Sequence, residues 1–132
     1  MDVRLSVVSH DNEAEEATIQ ISDGEISVIA YCHPFDFSLV SSEIVLDALF
    51  VKNILQVNQF CLPKKTKEGY YSYCITAEVI DQCTCKVKLG NIFITLDEPI
   101  PKDIPNGAFI TFQVGRIDLR YMASHNVPTV EL

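Results

Sequence analysis

The sequence predicts an all-β domain of short antiparallel strands, and three observations predict it. Apolar residues alternate with polar ones along much of the chain, as at Val3, Leu5 and Val7 or at Tyr71, Tyr73, Ile75, Ala77 and Val79. A period of two is the pattern of a strand with one buried face. The periodic stretches are rich in Val, Ile, Tyr, Phe and Thr, side chains that pack well on a pleated surface. The third observation is the segment Cys83-Thr-Cys-Lys-Val-Lys-Leu-Gly-Asn-Ile-Phe-Ile-Thr-Leu96, in which Gly90-Asn91 separates two alternating arms. Gly at the first loop position supplies the positive φ of a type II′ hairpin turn. That turn sets Leu89 opposite Ile92, Val87 opposite Ile94 and Cys85 opposite Leu96, with Thr84, Lys86 and Lys88 on the other face.

In chain order, Val3–Val7 reads as a first strand, and the polar, acidic stretch 9–16 as a solvated loop or one helical turn. Its Asp11, Glu13, Glu15 and Glu16 form an acidic patch that a basic partner could meet, solvation being the commoner outcome. Thr18–Ser22 is a strand with Ile19 and Ile21 inward, closed by an Asp23-Gly24 turn. In the strand Glu25–Phe35, Ile26, Val28, Ala30 and Cys32 share one face. Ile29, Tyr31 and His33 share the other, so this strand is expected to be central or covered on both sides. Pro34 ends it. Residues 42–57 admit a strand reading, with Ile44, Leu46, Ala48 and Phe50 on one face and Val45, Asp47, Leu49 and Val51 on the other. They also admit a helix capped by Ser41 or Ser42. The strand is preferred, because Val and Ile recur there.

Pro63–Gly69 is a basic turn or loop. A three-residue turn at 80–82 would join the strand Tyr71–Val79 to the next, with Val79 opposite Cys83, Ala77 opposite Cys85 and Ile75 opposite Val87. The proline-rich stretch Asp97–Gly107 is a long loop, since proline leaves a sheet ladder unpaired. Phe109–Val114 is a strand, Gly115 a bulge, and Ile117, Leu119 and Tyr121 continue it with Arg116, Asp118 and Arg120 outward. A three-strand meander, a proline-rich crossover and a bulged last strand resemble an OB-type barrel in strand count and spacing. The expected architecture is therefore a small closed or partly open antiparallel barrel, OB-like, with a β-sandwich as the alternative.

A chain of 132 residues suits a single domain, placed at 1–123, with a loose tail at 124–132. At this size about two thirds of the unfolded surface can be buried, so neither a disulfide nor a metal is required for folding. The net charge is −8, from 18 acidic and 10 basic residues, which disfavours non-specific binding to nucleic acid or to an anionic membrane. No apolar run reaches the length of a membrane span or of a signal-peptide core. Five cysteines, an odd number with irregular spacing, read as reduced thiols rather than a secreted disulfide framework. The expected location is cytoplasmic.

Three groups of residues carry chemistry. Lys64, Lys65, Lys67 and Tyr70, followed by Tyr71 and Tyr73, form a basic and aromatic patch of the kind that stacks single-stranded bases. Tyr71 and Tyr73 share the core phase of Ile75, however. Cys32 and His33 suggest a nucleophile and its base, yet neighbours in a strand point to opposite faces and cannot pair. Cys83 and Cys85 suggest a metal, but Cys-x-Cys in a regular strand sets both thiols on the core face without a second pair. No catalytic residue, metal ligand or cofactor is assigned. The sequence thus favours a non-enzymatic module that engages a protein partner or a copy of itself. A single-stranded nucleic-acid binder at the Lys64–Tyr73 patch is the alternative, and a thiol- or metal-dependent activity comes third.

Overall fold

The computed structural model describes residues 3–35 and 44–121. These form eleven strands and no helix: β1 (Arg4–Asp11), β2 (Glu16–Ser22), β3 (Ser27–Cys32), β4 (Ile44–Leu49), β5 (Lys52–Val57), β6 (Lys64–Lys65), β7 (Tyr73–Asp81), β8 (Lys86–Leu89), β9 (Ile92–Leu96), β10 (Phe109–Val114) and β11 (Arg116–Tyr121). No helix among the described residues is long and apolar enough to cross a membrane. The expected tail at 124–132 and the capping residues Ser41 and Ser42 lie outside the described residues.

The strands form one mixed sheet in the order β1-β2-β3-β11-β4-β9-β8-β7-β10-β5, with β6 on β7. The antiparallel expectation is corrected at two places, where β11 runs parallel to β3 and β4 parallel to β9. The hydrogen-bonded path is also open rather than closed, with β1 and β5 at its ends.

Residues 42–57 are extended, but not as one regular strand. β4 and β5 are halves of a strand bent at Phe50–Val51, and β10 and β11 are halves of a strand bent at Gly115. The halves pair antiparallel on both sides of the bend, from Phe109↔Val57 to Tyr121↔Ile44. Past the bend their neighbours differ: β10 pairs with β7, and β11 with β3. The extra residue at Gly115 shifts the buried phase from Ile110, Phe112 and Val114 to Ile117 and Leu119, so each half keeps an apolar face inward.

Asp97 holds this corner. Its carboxylate accepts the N–H groups of Phe50 at 2.8 Å and Val51 at 3.1 Å, and its own N–H donates to the Ala48 carbonyl at 3.1 Å. The Gly115 N–H donates to the Leu49 carbonyl at 3.0 Å. Phe50 takes a φ of 59°, which turns its side chain outward to 69% exposure, while Val51 is buried. This reverses the faces expected for the two residues. A Cβ at Gly115 would stand 3.0 Å from the Phe50 Cβ, so glycine is what lets the phenylalanine lie across the backbone.

The Gly90-Asn91 hairpin has the expected register, Leu89↔Ile92 and Val87↔Ile94. Gly90 has a φ of 61°. The preceding turn does not: Val79 pairs with Val87 and Asp81 with Lys86, so residues 82–85 form the connection. Cys83 is therefore exposed in a turn, and Cys85 takes a φ of 59° outside the strand. Asp81 binds the Cys83 N–H at 3.0 Å, a local bond that competes with continuing the ladder. The polar stretch 9–16 is likewise shorter as a turn than expected, since β1 runs to Asp11 and β2 starts at Glu16.

A second carboxylate joins two hairpins. Asp23, only 3% exposed, accepts the N–H groups of Ile26 at 2.8 Å and Glu25 at 2.9 Å. It also accepts the N–H of Asn91 at 2.9 Å, across the sequence. These bonds, that from Ile26 foremost, lower its pKa from 3.8 to about 2, because they favour the ionised form.

Two tests follow from these contacts. Gly90→Ala should lower stability by about 2 kcal/mol in urea unfolding, because alanine is disfavoured at positive φ and its Cβ would sit 2.5 Å from Asp23 Oδ2. Asp23 has a folded pKa below its unfolded one, so its contribution is present above 3.8 and is lost as pH falls toward about 2. The gap in urea midpoint between the wild type and Asp23→Ala should therefore be full near neutral pH and shrink through that window.

Candidate functional site

The short strand β6 brings Lys64 and Lys65 alongside Cys74 and Tyr73 of β7, and residues 66–72 close a tight loop between them. Ser72 is buried and holds that loop. Its hydroxyl bonds Thr66 Oγ1 at 2.6 Å and accepts the Gly69 N–H at 2.9 Å, while its carbonyl accepts the Thr66 N–H at 3.1 Å. The loop thus presents Tyr70, at 61% exposure, beside the half-buried Tyr71.

The rings and cations form one continuous row. The Lys65 ammonium lies 4.7 Å from the Tyr70 ring centre and 5.3 Å from that of Tyr73. Tyr70 meets Tyr71 edge to face at 5.0 Å, and Tyr71 meets Tyr31 at 5.8 Å. The Arg116 guanidinium covers the Tyr31 ring at 4.6 Å, and the His33 ring lies parallel to Tyr31 at 6.5 Å. Arg116 can reach Tyr31 because β11 runs beside β3, pairing Asp118 with Tyr31.

Polar bonds fix the row in place. Tyr71 and Thr18 share a hydroxyl–hydroxyl bond of 2.5 Å, and the Tyr31 hydroxyl donates to Glu16 at 2.7 Å. Arg116 is paired with Asp118, its Nη2 at 2.9 Å from Oδ2. The buried Tyr73 hydroxyl accepts the Ile29 N–H at 2.9 Å, which ties β7 to β3. The Glu16 carboxylate, with burial, raises the Tyr31 pKa; burial raises that of Tyr73; Asp118 raises that of Arg116. All three stay in their neutral-pH forms: two phenols and a cation.

Of the residues singled out in the sequence, Lys65 and Tyr70 are brought together. Lys64 and Lys67 are exposed and, among the described residues, touch no ring. Tyr73 does face the core, whereas Tyr71 sits in a turn over the outside of β2 and β3. Tyr31, Arg116 and Thr18 were not foreseen as site residues, and Glu16 was expected only as part of the acidic patch in the stretch 9–16. The only signal for them was their outward phase on otherwise apolar strands.

Cys32 is 1% exposed, and its thiol pKa is raised, by burial first and then by the charge of Asp118. A nucleophilic thiol needs the opposite shift. His33 turns away and stacks on Tyr31. Cys83 and Cys85 do not share the core face proposed for them, and the described residues gather no group of three or more metal-ligating side chains.

Beyond Tyr71 the surface dips into a polar cleft of about 160 Å³, lined by Ser9, His10, Asp11, Glu16, Ala17, Thr18 and Tyr71. A second, apolar hollow of about 150 Å³ lies between Val3, Ile44, Leu46 and the Asn91–Phe93 strand end. No family model, curated protein or solved structure matches the chain.

The row makes a stability test that separates its members. Tyr73→Phe should cost about 1–2 kcal/mol, because it strands the Ile29 N–H. Tyr70→Ala should change stability by less than about 0.5 kcal/mol, as an exposed side chain with no hydrogen-bond role. Urea unfolding of the two variants reads both values.

Proposed function

We propose that this protein is a small non-enzymatic interaction module that engages a protein partner through the Tyr70–Tyr71–Tyr31–Arg116 face. The observation that carries the reading is the continuous row of rings and cations, held in place before any partner arrives. Tyrosine and arginine supply much of the energy of protein interfaces. The Tyr31 and Tyr71 rings, already fixed by hydroxyl bonds, lose little rotamer freedom on binding. Acidic and basic groups alternate along the face, with Glu16 and Asp118 beside Arg116 and Lys65, as at interfaces that select by charge complementarity. The curled strip of β4, β9, β8, β7 and β10 acts in this reading as a partly open, OB-like scaffold. All five cysteines are free, which suits a reducing cytoplasm.

A second reading, binding of single-stranded nucleic acid at Lys64, Lys65, Lys67 and Tyr70, draws on Lys65 lying over the exposed Tyr70 ring. Against it, Tyr71 and Tyr31 are set edge to face, their hydroxyls are engaged, and the net charge is −8. Base stacking needs open ring faces.

Photocrosslinking separates the readings. A photoreactive residue replacing Tyr70 should capture a discrete protein adduct from native extract, and Arg116→Ala should weaken that capture. The same residue at the exposed loop position Lys102 should capture none. A nucleic-acid adduct, lost on Lys64/Lys65/Lys67→Glu and steeply weakened by salt, would favour the second reading. Equal capture at both positions would contradict the first.

A further inference from the structure

We infer that two copies of this chain pair through β5, antiparallel about a two-fold axis at Gln56, so that the sheet runs on from one copy into the other. This goes beyond the tyrosine face, which lies on other strands.

Four observations converge on this edge. The first is its backbone. β5 ends the hydrogen-bonded path and is paired on one side only, with β10. Its other side presents N–H and C=O groups to no strand among the described residues, and such a row is a template for a further strand. β5 also overhangs the core: Gln56 pairs with the buried Ile110, yet is itself exposed.

The second is what the edge carries. Asn53, Gln56, Asn58 and Gln59 are all exposed, and their side chains have no hydrogen-bond partner among the described residues. An amide both donates and accepts, so it can satisfy a copy of itself, which neither a carboxylate nor an ammonium can do. Antiparallel pairing has the same symmetry, because a two-fold axis exchanges the N–H and C=O groups of two identical strands. Past the irregularity opposite Thr111–Gln113, the regular part of β5 is Leu55–Val57, with Gln56 at its middle. An axis there sets amide on amide and Leu55 of each copy against Val57 of the other.

Charge is the third. The chain carries a net charge of −8, yet no carboxylate lies between Asp47 and Glu68. Acidic copies repel each other, and this is the longest stretch along which two of them can meet without opposing carboxylates. Lysine on an edge strand ordinarily guards it. Lys52, the one charge on β5, is instead matched within its own copy by Glu68 at 3.4 Å.

The fourth is apolar surface. Leu55 is 62% exposed, and Phe60 and Leu62 are exposed just beyond the strand. Together they offer a second copy an apolar patch beside the edge.

The test is sedimentation velocity over a range of protein concentrations. The wild type should form a dimer and nothing larger, because an isologous contact uses the β5 edge of both copies. Gln56→Glu and Gln56→Lys should each weaken self-association about tenfold or more, since each sets like charges face to face at the axis. Mixed in equal amounts, the two variants should associate at least as tightly as the wild type, a recovery that also requires both to be folded. Asn12→Glu, which adds the same charge at the β1–β2 turn, should leave the dimer nearly unchanged. Raising the salt concentration should strengthen the dimer, because it screens the repulsion between acidic copies without breaking an ion pair.

A monomer at every concentration would overturn the inference, and so would assemblies larger than a dimer. A dimer retained by Gln56→Glu and Gln56→Lys alike, or a mixture that associates no better than its parts, would put the contact elsewhere and overturn it too. Weakening by salt would do the same, as the signature of acidic and basic surfaces meeting. Loss of the dimer in Tyr70→Ala would assign it to the tyrosine face. A dimer unchanged in Tyr70→Ala and recovered by the charge swap supports β5, whatever the outcome of crosslinking at Tyr70.

Discussion

The constraint on which the rest depends is the corner at Phe50–Val51 and Gly115. A two-stranded ribbon continued straight through that point would have one pair of neighbours along its length. Bent there, it meets three strands: β7 lies against β10, β3 against β11 and β9 against β4. Asp97 makes the bend by binding the Phe50 and Val51 N–H groups, donors that the strand ladder no longer satisfies at a corner. Gly115 completes it, since any side chain there would meet Phe50.

The tyrosine row is a consequence of that bend. Tyr73 starts β7 and Tyr31 lies on β3, strands with no ladder between them. They approach because β10 and β11 carry them as two halves of one segment. The Tyr73 hydroxyl then reaches the Ile29 N–H, and Arg116, the first residue of β11, reaches the Tyr31 ring. The loop 66–72 fills the remaining space and lays Tyr71 over Thr18. A face assembled from four separate parts of the chain is thus set by one turn of backbone. The Asp23–Asn91 contact does similar work elsewhere, locking the β2–β3 turn onto the β8–β9 turn.

Much of the fold was legible because it rests on local rules. Period-two alternation located the strands from Thr18 to Cys32 and from Phe109 to Tyr121, and Gly90-Asn91 fixed a register that the structure keeps. Failures came where a side chain competes with the ladder. Asp81 caps the Cys83 N–H and moves the turn to residues 82–85, which shifts the pairing from Val79–Cys83 to Val79–Val87. Asp97, 46 residues from Val51, turns Phe50 outward against its alternation. The site was half legible: Lys65 and Tyr70 are neighbours in sequence, whereas Tyr31, Arg116, Glu16 and Thr18 join them only through the sheet order.

The claim that the corner organises the face is tested most directly by the side-chain NMR spectrum of the tyrosine rings in wild type and Asp97→Ala. Asp97 touches none of these rings. If the corner positions them, the ring signals of Tyr31, Tyr71 and Tyr73 shift or broaden together in a variant that is still folded, while amide signals of the β8–β9 hairpin tip stay in place. Ring signals left unchanged in a folded Asp97→Ala protein would contradict the account and assign the row to the loop 66–72 alone.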